Sequence, residues 1–158
     1  MISPTESEIL ARAVDLASAN VADDGGPFGA VVATAEGRLV DGVNRVTATH
    51  DPTAHAEVAA IRAACAQLGT FELPGAVLYA SCEPCPMCLA TALWARIDRV
   101  VFAAGRDDAA RAGFDDAAFY TYFERPGQQA LLRTEQVRHA DAVSPFEAWR
   151  VHEGRTDY

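Results

Sequence analysis

His55-Ala56-Glu57 and Pro84-Cys85-Pro86-Met87-Cys88 gather an imidazole, a carboxylate and two thiols, in a chain with four histidines and four cysteines. Cys85 and Cys88 are three residues apart, the spacing that brings two side chains to one face of a helix. With His55 from a neighbouring helix they make a trigonal set of sulfur and nitrogen donors, which suits zinc, although the same ligand types also admit iron. Three protein ligands leave tetrahedral zinc a fourth position for water, the arrangement of catalytic sites. Zinc brings the pKa of such a water to roughly 7, so hydroxide is available at neutral pH. Glu57, two residues past His55, is placed to carry a proton from that water to a ring nitrogen and then to a departing amine. The expectation is hydrolysis at an amino-bearing ring carbon, with one Zn2+ per chain.

Other readings of the same residues are a redox pair or a structural zinc site, which would want a fourth protein ligand. Cys82 could offer one, but it falls on the far side of Pro84 from the helical face and reads as a buried structural cysteine. Cys65, inside a predicted helix, reads as packing, and His139 and His152 have no partners nearby in sequence. The leading prolines and predicted helix starts favour the catalytic reading, because a helix N-terminus also favours the thiolate.

Those side chains need helices and strands to aim them. Ser3-Pro4, followed by Ile9, Leu10, Ala13, Val14, Leu16 and Ala17, predicts a helix from about residue 5. Residues 23–27 read as loop, and 28–34 and 39–44 as two short strands around Glu36-Gly37. Asp51-Pro52-Thr53 predicts the opening of a second helix, with Val58, Ile61 and Ala64 buried and an end near Leu68-Gly69. Residues 77–80 are strand-like and run into the cysteines. Pro86 suits the first turn of a third helix, and residues 100–103 read as the next strand. Beyond that, 113–116 read as loop, 119–123 as a short helix, 136–139 as a weak final strand and 145–151 as a helix. Alternating strands and helices predict an α/β layered fold, with a hairpin first and parallel strands later.

The 158 residues, 50% of them apolar, suffice for a single domain over 1–158. No stretch approaches the roughly 18 apolar residues of a membrane span, and Met1 to Glu6 lack the pattern of a signal peptide; the expectation is a soluble, cytoplasmic protein. The net charge of -9, from 13 basic and 22 acidic residues, argues against nucleic acid, whose binding rests on cations. A small heterocyclic base is compatible with it, and no membrane partner is expected.

On these residues the chain resembles the cytidine-deaminase-like superfamily, whose signature is His-x-Glu with Pro-Cys-x-x-Cys, and within it the bacterial guanine deaminases. The likeness runs from Gly25-Gly26-Pro27-Phe28-Gly29-Ala30 through Asn44, Asp51 to Glu57 and Ser81 to Cys88. It continues into Trp94-Ala95-Arg96, Ala112-Gly113-Phe114-Asp115-Asp116, Ser144-Pro145-Phe146 and Tyr158. The resemblance implies a three-layer α/β/α fold around a central mixed five-stranded sheet, a homodimer, and a C-terminal segment exchanged between subunits. It also implies conversion of guanine to xanthine and ammonia, with Glu57 as proton shuttle and Ala56, Asn44, Asp116, Phe28, Phe114 and Tyr158 at the substrate. Asn44 can both donate and accept, and Asp116 can accept from the ring N–H and amino groups of guanine. Phe28 and Phe114 are expected to sandwich the ring and Tyr158 to close over it. His50 stands where this branch is expected to carry Asn; in contact with the base it would change substrate range or pH optimum. Alternatives are deamination of cytosine or cytidine, guanosine, an amino-triazine or adenosine in transfer RNA, and a silent zinc-binding module.

Overall fold

Ser3 opens the first helix by accepting a hydrogen bond from the Glu6 N–H through its hydroxyl, while its own N–H donates to the Glu6 carboxylate. This capping box, with Pro4 in the first turn, sets α1 (Pro4–Ala22) at the position its sequence predicts. The structure is a computed structural model that describes residues 3–125 and 131–158. The chain divides into two compact units, Met1–Tyr120 and Thr121–Tyr158.

In the first unit β1 (Gly29–Ala33) and β2 (Leu39–Val43) pair antiparallel. β3 (Val77–Cys82) lies antiparallel on the other side of β1, and β4 (Arg99–Ala104) runs parallel to β3. The order is β2-β1-β3-β4, a mixed sheet. Alternate residues along β1 serve different partners, as a strand's period of two requires. Val31, with Tyr79, packs against Ala13 of α1. Ala30 and Val32, with Leu78, pack against Ala56, Ala60, Ile61 and Ala64 of α3 (Ala56–Leu68) and Ala92 of α4 (Pro86–Trp94).

Gly42 lets α3 sit down on β2. A Cβ there would stand 2.2 Å from the Ala56 carbonyl oxygen and 2.5 Å from the Ala60 nitrogen, both backbone. Backbone cannot swing away as a side chain can, so Gly42→Ala must displace the helix that carries His55 and Glu57. Overpacking of this kind costs about 1–3 kcal/mol, and for a chain of this size we expect a Tm lower by roughly 2–12 °C. Thermal unfolding checks it; an unchanged Tm would mean that α3 does not rest on Gly42.

Three expectations need correction. The Asp51-Pro52-Thr53 start signal is spent on a turn of its own: Asp51 Oδ1 accepts from the Thr53 N–H at 2.8 Å and from the Thr53 hydroxyl at 2.7 Å. α3 begins only after His55. Two short helices, α2 (Val46–Thr49) and α5 (Arg106–Arg111), occupy stretches with no expected element. Finally, the sheet has four strands among the described residues, not five. Residues 133–139 form no strand, because Gln136, Arg138 and His139 surround a single apolar Val137 that is 81% exposed; one such side chain gives a strand no face to bury. α6 (Ala117–Glu124) and α7 (Ser144–Val151) match the remaining expectations. No described helix is long and apolar enough to cross a membrane.

Candidate active site

His55 is the residue before α3 and Cys85 the residue before α4, and the two share one backbone conformation. Both are extended, at φ -69°, ψ 155° and φ -67°, ψ 169°, and neither side chain bonds to its own helix. A residue at this position commonly caps the first-turn amides; these two turn toward each other instead. Cys88 lies one turn further along α4. Cys85 Sγ stands 3.7 Å from His55 Nδ1, Cys88 Sγ 3.5 Å from the same nitrogen, and the two sulfurs 3.6 Å apart.

Those distances test whether zinc fits. With Zn–S near 2.3 Å and Zn–N near 2.0–2.1 Å, a tetrahedral ion needs S–S edges of about 3.8 Å and S–N edges of about 3.6 Å. The triangle observed matches to within 0.2 Å, and among the described residues it is the one His, Cys, Asp or Glu group that could hold a metal. The three donors share their protons unevenly, with Cys85 the one that favours the thiolate. Hydrogen bonding from Cys88, with help from His55, outweighs burial and holds the Cys85 thiol down at about 4. The same shared hydrogen bond, with burial, pushes the Cys88 thiol up. His55 is raised, chiefly by its hydrogen bond to Cys85 and against burial. Cys82 stays outside the triangle: its thiol donates to the Gly105 carbonyl at 3.6 Å.

Glu57 is the second residue of α3 and is buried. Burial is the first cause that raises its carboxyl above the usual range, the condition of a group that must hold and release a proton near neutral pH. It faces a cavity of about 570 Å³ within the first unit, lined by His55 and Cys85 and by Phe28, Asn44, Phe114 and Asp116. Asn44 follows β2 and is buried; its N–H donates to the Phe28 carbonyl at 3.1 Å and its Oδ1 accepts from the Val46 N–H at 3.3 Å. Asp116 is half-buried, and its carboxyl is pushed up first by burial and then by the charge of Cys85.

The aromatic pair departs from expectation. Phe28 and Phe114 meet edge to face, with centroids 4.9 Å apart and planes at 86°. They form one wall of the cavity, because direct ring contact leaves no slot for a third ring. Ala56 is fully buried against β2 and does not line the cavity. Nor does His50: it ends α2 in the left-handed region at φ 54°, exposed, with Nδ1 3.0 Å from the Thr47 carbonyl. Tyr158 belongs to the second unit, where its ring stands 6.4 Å from that of Trp149.

Sequence reasoning missed a clasp beside the cysteines. The Tyr120 hydroxyl donates to the Pro84 carbonyl at 2.9 Å, and the Arg106 guanidinium lies 4.8 Å over the Tyr120 ring. Burial, then the charge of Asp116, pushes the Tyr120 phenol up to about 12, so it stays a donor at neutral pH. Tyr120 thereby ties the start of α6, next to Asp116, to the residue before Cys85. Nothing in the spacing of Arg106 and Tyr120 announces this.

Residues 3–104 match the family model of the cytidine and deoxycytidylate deaminase zinc-binding region. The chain belongs to that family. His55, Glu57, Cys85 and Cys88 all fall within the matched residues of this zinc-binding deaminase family. Among its members the chain is similar to the guanine deaminase of Bacillus subtilis (strain 168), 47% identical over 150 residues that cover 94% of this chain and 96% of the relative. The X-ray structure of guanine deaminase from Bacillus subtilis superposes with a TM-score of 0.91 at 46% identity, covering 96% of this chain and 98% of that one. A structure of guanine deaminase from Nitrosomonas europaea superposes with a TM-score of 0.66 at 36% identity, over 73% of this chain and 66% of that one. The α/β fold of the family is thus the fold of this chain.

Proposed function

We propose that this chain is a zinc-dependent aminohydrolase that converts guanine and water to xanthine and ammonia. The observation that carries the reading is one cavity bringing together the zinc cradle, Glu57, Asn44 and Asp116, in a chain similar over nearly its whole length to guanine deaminases. His55, Cys85 and Cys88 would hold the zinc ion, which would supply an acidified water and a Lewis acid at the cavity wall. Glu57 accepts a proton as the water oxygen joins the ring carbon, and delivers it to the adjacent ring nitrogen. Glu57 then takes the second proton from the hydroxyl now on that carbon and passes it to the amine, so the C=O forms as the carbon–nitrogen bond breaks and ammonia leaves. Asn44 orients the purine edge through a donor and an acceptor. Asp116 accepts from the ring N–H and amino groups, a pattern that adenine and cytosine leave unmet. Phe28 and Phe114 flank the base from one side.

The reading extends to a three-layer α/β/α arrangement, supported by the separate core clusters that α1 and α3 make with the sheet, and to a cytoplasmic enzyme. It also assigns a homodimer of single 158-residue domains whose C-terminal segments, with Tyr158, are exchanged. Phe146 and Val151 in that segment are 75% and 72% exposed, and a unit of this size buries too little apolar surface to stand alone.

Ammonia release tests the chemistry, with guanine, guanosine, cytosine, cytidine, adenine and a 2-amino-triazine, each with and without chelator. Chelator-sensitive turnover strongest on guanine is expected; turnover confined to another ring would overturn the substrate and keep the class. Asp116→Asn is expected to lower kcat/KM on guanine by about a hundredfold, since an amide replaces one of the two acceptors that would meet the ring N–H and amino groups. An unchanged value would remove Asp116 from the base contacts.

A further inference from the structure

Asn20 sits in the last turn of α1 and is 4% exposed, among the alanines that α1 turns to the core. Its Nδ2 donates to two backbone carbonyls, those of Gly26 and Asn44, each at 2.8 Å. Both amide hydrogens are therefore used. Its own backbone carbonyl accepts from the Gly25 N–H at 2.8 Å and the Asp23 N–H at 3.2 Å. The Gly26 carbonyl accepts a second bond, from the Phe28 N–H at 2.8 Å, and the Phe28 carbonyl accepts from the Asn44 N–H at 3.1 Å. One buried amide thus joins the end of α1, the turn before Phe28 and the end of β2.

The fit around it is close. A Cβ on Gly25 would fall 2.2 Å from Asn20 Nδ2, and one on Gly26 would fall 2.8 Å from Asn44 Oδ1. Bare backbone therefore packs on both asparagine side chains. We infer that Asn20 is a positioning residue for the substrate: by holding the Asn44 and Gly26 carbonyls together, it fixes where the Asn44 amide stands in the cavity. A residue needed only to fill the core would be apolar, because a buried amide is favourable only when its partners are in place. The inference rests on the reading of Asn44 as a contact to the base.

A double-mutant cycle on the full-length, zinc-loaded enzyme tests it. Asn44→Ala is expected to lower kcat/KM on guanine about a hundredfold, and Asn20→Ala about tenfold or more, the larger part in KM. If Asn20 acts through Asn44, adding Asn20→Ala to Asn44→Ala costs no further loss beyond about twofold, whereas independent sites multiply their losses. Tm measured on each variant reports the structural part of each loss separately. Asn20→Ser, which keeps one donor and a smaller volume, serves the same cycle if Asn20→Ala does not fold. An Asn20 loss that persists undiminished beside Asn44→Ala would overturn the inference. An Asn44→Ala variant with wild-type kcat/KM would instead overturn the reading of Asn44.

Discussion

Glu57→Gln is expected to reduce turnover by about 10²- to 10⁴-fold, the range of a positioned acid–base group, while one zinc per chain is retained. The amide matches the carboxylate in shape and fills the same place on α3, but it cannot take up and return a proton. None of the three atoms that form the zinc triangle belongs to Glu57, so metal content should not change. Stability should not fall either. A carboxyl raised by burial binds its proton more tightly folded than unfolded. It therefore disfavours the folded state once pH passes its unfolded value, near 4.3. A neutral amide avoids that cost at pH 7, so the variant should unfold no lower than the parent in the metal-free form. Steady-state ammonia release with parallel zinc analysis and thermal unfolding checks all three points. More than about a tenth of the parent kcat would remove Glu57 as the proton carrier.

Cys85→Ser is expected to lose the metal and with it all measurable activity. Cys85 is the thiol held as thiolate, at about 4, and it forms two of the three edges of the triangle, at 3.7 and 3.6 Å. A serine oxygen is shorter and protonated at neutral pH. The expected fall in zinc affinity exceeds the 10- to 100-fold loss seen when only an outer-shell partner is removed. Because zinc binds the folded chain, saturation about a thousandfold over Kd is worth about 4 kcal/mol. Its loss should lower Tm by roughly 10 °C. Chelation of the parent should reproduce the drop, and added zinc should reverse it. Cys82→Ser, whose thiol bonds to the Gly105 carbonyl, should keep its zinc. A fully zinc-loaded Cys85→Ser variant would overturn the ligand assignment.

What was legible in the sequence follows from how local the determining interactions are. Cys85 and Cys88 share a helix whose start is marked by Pro86, so their convergence could be read from spacing. His55 joins them from another helix, yet its spacing from Glu57 marked it. Asn20 could not be read, because an asparagine near a helix end looks like a solvated residue until β2 delivers the Asn44 carbonyl to it. Asp51-Pro52-Thr53 misled for the opposite reason: a local turn used the hydrogen bonds that would have capped a helix. The expected strand at 136–139 failed for want of a face to bury. The edge-on contact of Phe28 and Phe114 depends on where a long connection returns, which neither residue's surroundings in sequence record.

One consequence lies in the placing of His55 and Cys85 just ahead of α3 and α4. Residues there ordinarily tie down the frayed amides of the first turn, for about 1 kcal/mol each, and neither does so. An ion bound by both would act as a common clamp on two helix beginnings that come from distant parts of the chain. Amide hydrogen exchange should therefore report on zinc: stripped of it, the opening turns of α3 and α4 should exchange together and faster, while α1, secured by its own capping box, keeps its rate. The supply of zinc would then govern how long the folded chain persists as well as how fast it works.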